Sequence, residues 1–354
     1  MDWNTKQIIV TGGGGWLGGT LLRGLFNGIP ECESLRTPPG DVAVRAIALT
    51  DNDEKQLRDL PGEVEVVRGN LLDAHDCERL CQDADGAVLI HLTGLIHPRR
   101  TRELYDINLQ TGKNVIAAAA KHGVKRVVAM SSNSPLGCNP HPEHLFDENS
   151  PYNPYMKYGK SKMLLELHLK EVQAAGQIET VTIRAPWFYG PYQPPRQTLF
   201  FEMIRDGKAP IVGSGENRRS MGYLDNIAQG LLLAANVPAA SGETYWLADE
   251  RPYTMNEIVD TVERLLESEF DMTCQHKRLR LPGITSEIAR FVDWSIQSVG
   301  LYHQKMHVLS EMNKTIACTV DKAKRELGYQ PYIALEEGMR RSIRWCLDEG
   351  LLSR

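Results

Sequence analysis

Short apolar runs recur through the first half of the chain, each followed by residues at helical spacing. Ile8 to Val10 is apolar on both faces, the pattern of a strand buried inside a parallel sheet. It breaks into four consecutive glycines, Gly12 to Gly15, and then into Leu17, Leu21, Leu22 and Leu25 along one helix face. The same alternation predicts strands over 42–49, 64–67, 87–92, 124–130 and 244–247. Helices are predicted over 104–122 and from about Tyr155 to Ala175, and the Gly-, Pro- and Glu-rich stretch 27–41 reads as a loop. Strands alternating with helices make a parallel sheet, with right-handed crossovers placing helices on both faces.

In such sheets ligands gather at the C-terminal ends of the strands. Here those ends carry the glycine loop, Asp51, Asn70, Thr93-Gly94 and Ser131-Ser132. Gly13, Gly15 and Gly18 fit the G-x-G-x-x-G frame, in which the chain turns tightly, approaches a pyrophosphate and aims a helix N-terminus at its charge. A flexible turn would also explain the glycines, but the strand before and the helix after favour a dinucleotide site. The expected fold is therefore α/β: a Rossmann-type doubly wound parallel sheet from 1–184 with 221–248, and a smaller C-terminal α/β substrate domain from 185–220 with 249–354. Asp51 is placed to accept hydrogen bonds from the adenosine ribose, which favours NAD over NADP. It lies farther beyond Gly18 than the ~20 residues usual for the fingerprint, an excess the loop insertion explains. A turn or helix-capping aspartate is the alternative, and Lys55 is the nearest downstream base for a 2′-phosphate.

Tyr158 and Lys162 stand four apart before a Leu-rich helix and so share a face. A phenol with a pKa of ~10 is a poor base at neutral pH, and a neighbouring ammonium lowers that value. Ser132, at the end of the fifth strand, supplies a hydrogen bond for a substrate oxygen. Tyr152 and Tyr155 are nearby decoys, since Tyr155 has Gly159 where a lysine would be needed.

Composition narrows the class. The 354 residues are 42% hydrophobic and 24% charged, ordinary for a soluble globular protein. A net charge of −5 gives no general attraction to nucleic acid or an anionic membrane. No apolar run approaches the ~20 residues of a membrane span, and the N-terminus lacks a signal-peptide layout. The seven cysteines lack paired spacing, and Cys77 and Cys81 have no partner cluster resembling a zinc site. Reduced thiols, no metal and a cytoplasmic location are expected.

Six ordered motifs carry a family resemblance over nearly the whole length. Thr11–Gly18 matches T-G-G-x-G-x-x-G, His91–Gly94 resembles H-L-A-A, and Tyr158–Lys162 is Y-x-x-x-K. Arg184–Pro191 resembles R-P-x-x-x-Y-G-P, Tyr223–Ala228 resembles Y-V-D-D-V-A, and Asp321–Pro331 resembles D-x-S-K-A-x-x-x-L-G-x-x-P. The chain resembles the extended short-chain dehydrogenase/reductases, the superfamily of NAD-dependent epimerase/dehydratases and 3β-hydroxysteroid-dehydrogenase-like enzymes. The resemblance implies that Tyr158 is the general acid/base, that Lys162 tunes it and holds the nicotinamide ribose, and that Ser132 polarises the substrate oxygen. It implies cofactor contacts from Gly12, Gly15, Trp16, Leu17, Gly18, Asp51, Asn70, Leu71, Leu92, Thr93, Gly94 and Pro186 as well as Tyr158 and Lys162. Asn70 replaces the family's usual Asp, and Asn108 begins a segment resembling N-V-x-G-T-x-N with Thr111-Gly112 reversed.

For the substrate, Ser134, Trp187, Arg99 and Arg219 are the candidates. Arg219 falls where nucleotide-sugar members bind phosphate, but Trp187 replaces the asparagine expected before Y-G-P, and no arginine lies between Gly300 and Thr319. Pro282 to Leu301 is a helix apolar on much of its circumference, either a cleft cover like that of the steroid-dehydrogenase-like branch or a buried or dimer-facing helix. Arg99-Arg100-Thr101-Arg102 could clamp a carboxylate or phosphate, or form a solvated basic loop. The reading is hydride transfer between NAD and a secondary alcohol or ketone. The alternatives are a nucleotide-sugar epimerase, less so a dehydratase because Ser132-Asn133-Ser134 lacks the acidic pair, and a non-catalytic dinucleotide-sensing regulator. A homodimer pairing the helices around 104–122 and 155–175 is expected.

Overall fold

The structure, a computed structural model, describes Trp3 and residues 5–353. Six strands, β1 (Gln7–Thr11), β2 (Ala43–Ala48), β3 (Glu65–Arg68), β4 (Val88–His91), β5 (Arg126–Met130) and β6 (Glu179–Arg184), build most of one parallel sheet. Strands β7 (Trp187–Tyr189), β8 (Pro210–Val212), β9 (Arg218–Arg219) and β10 (Met221–Tyr223) lie outside it, and β11 (Thr244–Trp246) closes its edge. The order is β11-β6-β5-β4-β1-β2-β3, with every pairing parallel. This is the expected Rossmann-type α/β sheet. The strand order reverses between β1 and β4, which opens a crevice above their C-terminal ends.

The sheet forms because its strands are apolar on both faces. Ile8 and Val10 face a core with α1 (Trp16–Asn27), α8 (Leu224–Asn236) and α12 (Asp321–Leu327). Ile9 faces the opposite core, with α3 (Ala74–Cys81), α5 (Thr111–Lys121) and α6 (Met156–Ala174). A third core joins α7 (Pro195–Arg205), α9 (Met255–Ser268) and α13 (Leu335–Asp348) around Tyr189, Met221 and Tyr223. There β7 pairs with β10, while β9 pairs with β12 (Tyr253–Thr254) and β8 with β13 (Leu279–Leu281).

Two predicted helices differ in detail. The run 104–122 divides into a short α4 (Arg102–Tyr105), a π turn over Asp106–Gln110, and α5. The π turn swings Asn108 into the protein, where its side chain bonds Leu95 N and O at 2.7 and 2.9 Å and Ser161 Oγ at 3.1 Å. The predicted apolar helix is α10 (Ile284–Ser298), packed against α11 (Gln304–Glu311), but it is not buried. Its inward residues are Ser286, Ala289, Asp293 and Gln297, and most of its large apolar side chains face outward.

Candidate active site

Steric necessity keeps the loop glycine, and the resulting turn leaves a helix N-terminus uncovered. Gly12 has φ 72°, and a Cβ there would stand 3.0 Å from the backbone of Leu92 and Thr93 on the neighbouring β4 tip. A Cβ on Gly18 would fall 2.1 Å from the carbonyl oxygen of Gly12. Gly15 caps α1 without a side-chain hydrogen bond, so the first amides of a twelve-residue helix remain open to an anion. Leu17 is buried under the loop. Trp16 Nε1 donates to Pro191 O at 2.7 Å, tying the loop to the segment after β7. On the β4 side, Thr11 Oγ1 and His91 Nδ1 lie 2.8 Å apart, and burial drops the His91 pKa to about 3, keeping it neutral.

The candidates for the adenosine side line up along the tips of β2 and β3. Asp51 opens α2 (Asp51–Arg58) with its carboxylate fully exposed and 2.9 Å from Arg68 Nη2. The cap of α2 is instead a box between Thr50 and Asp53, and Asp53 Oδ2 also accepts from Leu49 N at 3.2 Å. Asn70 Oδ1 accepts from Leu72 N at 3.0 Å, and Leu71 is buried beside it. Neither Arg68 nor Asp53 was singled out in the sequence, because both act through local partners that carry no motif.

Ser132 follows β5, and Tyr158 and Lys162 share the buried face of α6. Burial pushes the Tyr158 phenol up to about 12, although a hydrogen bond from Ser132 draws it down. This corrects the expectation that Lys162 lowers it: the Lys162 Nζ donates to Met130 O at 3.0 Å, and its own burial brings it down to about 8. Gly94 leaves room for that ammonium, since a Cβ there would stand 3.2 Å from Lys162 Nζ. Ser134 is buried, with its Oγ 3.4 Å from Ser132 Oγ, and its carbonyl accepts from Tyr155 N at 2.9 Å.

Behind the serine lies an ion pair sealed from water. Arg184, at the end of β6, meets Glu166 of α6 at 2.8 Å, with side-chain exposures of 1% and 0%. Tyr152 OH donates to Glu166 Oε2 at 2.9 Å, and Ser131 Oγ donates to Oε1. Every oxygen lone pair of the carboxylate thus points at a donor that also fixes β5, β6 or the approach to α6.

The α10–α11 pair roofs this site. Gln297 Oε1 accepts from Lys157 N at 3.1 Å, and Tyr155 OH lies 2.7 Å from Ser310 Oγ. Glu311 adds to the upward push on the Tyr158 phenol, and burial, then Asp293 and Glu311, raise that of Tyr302. Tyr302 OH is 2.7 Å from His97 Nδ1, whose pKa burial and then Arg196 bring down to about 4. His97, Arg196, Tyr302, His307 and Glu311 were not anticipated, since they converge from loops distant in sequence. A cavity of about 970 Å³ adjoins the N-terminal end of α6, lined by Cys138, Tyr155, Lys157, Arg290, Phe291 and Trp294 among others. Its walls do not include Ser132, Tyr158 or Lys162, so it flanks these three candidates and does not enclose them.

The other substrate candidates are dispersed. Trp187 stacks edge-on against Phe200 with ring centres 5.5 Å apart. Arg219 Nη2 donates to Glu311 O at 2.7 Å, while its buried Nε has no partner among the described residues. Arg99 is exposed on the loop beside α4, and Pro186 is buried just beyond β6.

A family model described as the NAD dependent epimerase/dehydratase family matches residues 8–248, the stretch that spans the seven-stranded parallel sheet. The chain belongs to that family. As an NAD-dependent epimerase/dehydratase family member it is an enzyme whose cofactor is NAD, and the glycine loop, α1 and the β4 tip are built for such a group. It is 50% identical over 348 residues to the uncharacterized protein y4nL of Sinorhizobium fredii, covering 98% of this chain and 97% of the other. It is 29% identical to the N-acetyl-alpha-D-glucosaminyl-diphospho-ditrans,octacis-undecaprenol 4-epimerase of Escherichia coli O157:H7, over 64% of this chain and 67% of that one. It is 25% identical to 3 beta-hydroxysteroid dehydrogenase type 7 of Mus musculus, over 96% and 95%. Among solved structures, gox2253 superposes with a TM-score of 0.78 at 19% identity, covering 99% of this chain and all (100%) of that one. The dTDP-glucose 4,6-dehydratase DesIV of Streptomyces venezuelae superposes at 0.73 with 22% identity, over 98% and 100%. At these identities the structures speak for the shared fold. Among the described residues no cluster of three or more His, Cys, Asp or Glu could hold a metal, and no helix is long and apolar enough to cross a membrane.

Proposed function

We propose that the protein interconverts a secondary alcohol and a ketone on an amphipathic small molecule that carries an anionic group. The observation that carries this reading is the convergence of three buried side chains: Ser132 just beyond β5, and Tyr158 with Lys162 one turn along the same face of α6. NAD, when bound, accepts or returns the hydride at nicotinamide C4. The chain's own residues manage the oxygen. In reduction the neutral Tyr158 phenol gives its proton to the carbonyl oxygen; in oxidation the phenolate takes the hydroxyl proton back. Ser132 donates a hydrogen bond to that same oxygen, and Lys162 holds the nicotinamide ribose. Ser134 and Trp187 line the substrate side, with Gly12, Gly15, Trp16, Leu17, Gly18, Leu92, Thr93, Gly94 and Pro186 around the cofactor.

Trp187, packed edge-on against Phe200, supports an apolar body, and the unpartnered buried Nε of Arg219 supports a negative group. The likeness to a hydroxysteroid dehydrogenase across both chains agrees with it. The second reading, epimerisation of a sugar carried on a diphosphate, is favoured by Arg219 and by the undecaprenol-linked epimerase relative. A substrate panel separates them. NADH absorbance should change with sterols or β-keto acids and stay flat with UDP- and dTDP-sugars. A sugar product found by chromatography would instead establish the epimerase.

On the adenosine side, Asp51 and Asn70 face the ribose and adenine, and Asp51 neutralises Arg68, the guanidinium a 2′-phosphate would otherwise meet. Calorimetry on Asp51→Asn should show the NAD-over-NADP preference narrowing by roughly tenfold, the scale of one charge interaction at a partly screened site. An unchanged ratio would remove Asp51 from this role. In this reading the sheet and the α10–α11 half form the cofactor and substrate domains, and α5 and α6 pair across a homodimer axis.

A further inference from the structure

Helix α10 is built inside out. A helix on a water-soluble surface buries its apolar stripe and shows water its polar one. Here Ser286 Oγ donates to Leu309 O at 2.8 Å, Gln297 Nε2 donates to Asp293 at 3.0 Å, and Asp293 Oδ2 lies 2.8 Å from His307 Nδ1, all on the buried side. The outward side carries Ile284, Ile288, Phe291 and Trp294, followed by Val299 and Leu301; these are 51 to 72% exposed. Ile284, Ile288, Phe291 and Trp294 recur at one helical turn and form an apolar stripe, which Val299 and Leu301 extend just past the helix end.

The stripe is framed in positive charge. Thr101 N donates to Gly300 O at 3.0 Å, and Arg100 bridges Leu301, so the exposed Arg99, Arg100 and Arg102 stand directly at its C-terminal end. Arg280 precedes it, Arg290 lies along it and Lys305 follows it. The acidic groups nearby are engaged: Glu287 with Lys314 and Arg290, Asp106 with Arg102, and Glu103 Oε2 accepts from Arg99 N at 3.0 Å. Arg99, Arg100, Arg280 and Lys305 have no carboxylate partner among the described residues. An apolar helix face ringed by unpaired cations matches a surface whose interior is hydrocarbon and whose boundary is anionic.

We propose that α10 and the Arg99–Arg102 loop seat the protein on an anionic phospholipid bilayer, with the apolar stripe in the headgroup boundary and the basic rim on the lipid phosphates. The overall negative charge of the chain does not oppose this, because the attraction acts within a Debye length of the patch. The inference does not depend on which substrate is turned over, because its test reads binding without catalysis.

The purified protein is sedimented with phosphatidylglycerol-rich vesicles and with phosphatidylcholine vesicles at low and high salt. The expected result is co-sedimentation with the anionic vesicles that weakens with salt. In the triple variant Ile284→Asn, Ile288→Asn, Val299→Asn it should fall by at least about tenfold, since these side chains supply the inserted area. All three are exposed, so the thermal midpoint should stay near that of the parent, which separates lost docking from lost folding. Light scattering on parent and variant supplies the competing outcome. Failure of the parent to bind anionic vesicles, equal binding by the variant, or a self-association abolished by the variant without vesicle binding would each overturn the proposal.

Discussion

Tyr158→Phe should lower kcat by about a thousandfold, within the 10²–10⁴ range of a single positioned acid or base, while NAD affinity stays within about twofold. The phenol is buried beside Ser132, and removing only its oxygen leaves the ring and the cleft in place. Turnover kinetics and calorimetry on the same preparation make the test, and retained turnover would sink the assigned mechanism. The pH dependence should separate the two directions. With its pKa pushed up to about 12 by burial, the phenol is protonated at neutral pH. Reduction, which spends that proton, should be flat through neutrality. Oxidation needs the phenolate, so its kcat/KM should climb by about tenfold per pH unit until the phenol of the loaded enzyme titrates.

Arg184→Met should destabilise the protein by about 3–5 kcal/mol in urea denaturation, the cost of leaving one buried charge unpaired. Glu166 would then face Ser131 and Tyr152 alone, with no cation and no water to share its charge. Glu166→Gln in the Arg184→Met background should recover a large part of the loss, since the pair's desolvation cost disappears with it. If the single variant is as stable as the parent, the pair is not what secures the β5 and β6 tips.

The sheet was legible because buried parallel strands are apolar on both faces and need no partner information to be seen. Ile8–Val10, the run to Met130 and Thr244–Leu247 all fell within two or three residues of their strands. The family motifs located the glycine loop and the serine, tyrosine and lysine, because that chemistry demands fixed residue types at fixed spacing. What stayed hidden was direction. Periodicity showed that α10 is apolar on much of its circumference, but not that Ser286, Asp293 and Gln297 turn inward. Nor did spacing reveal that Lys162 would spend its hydrogen bond on Met130 O, or that Glu166 and Arg184 would meet across a helix and a strand. Those outcomes depend on three-dimensional neighbours, and the π turn around Asn108 depends on one extra residue in a helix whose apolar pattern continues unbroken.

The bond from Trp16 to Pro191 has a thermodynamic corollary. It links the glycine loop, the proposed dinucleotide cradle, to the segment that leads from β7 into α7, so a displacement on one side must stretch, carry or break it. Free energy transmitted through such a link is reciprocal: whatever one ligand gains from the other's presence, the second gains equally from the first. The order in which cofactor and substrate enter is then a kinetic preference, and the cooperativity between them is a property of the pair.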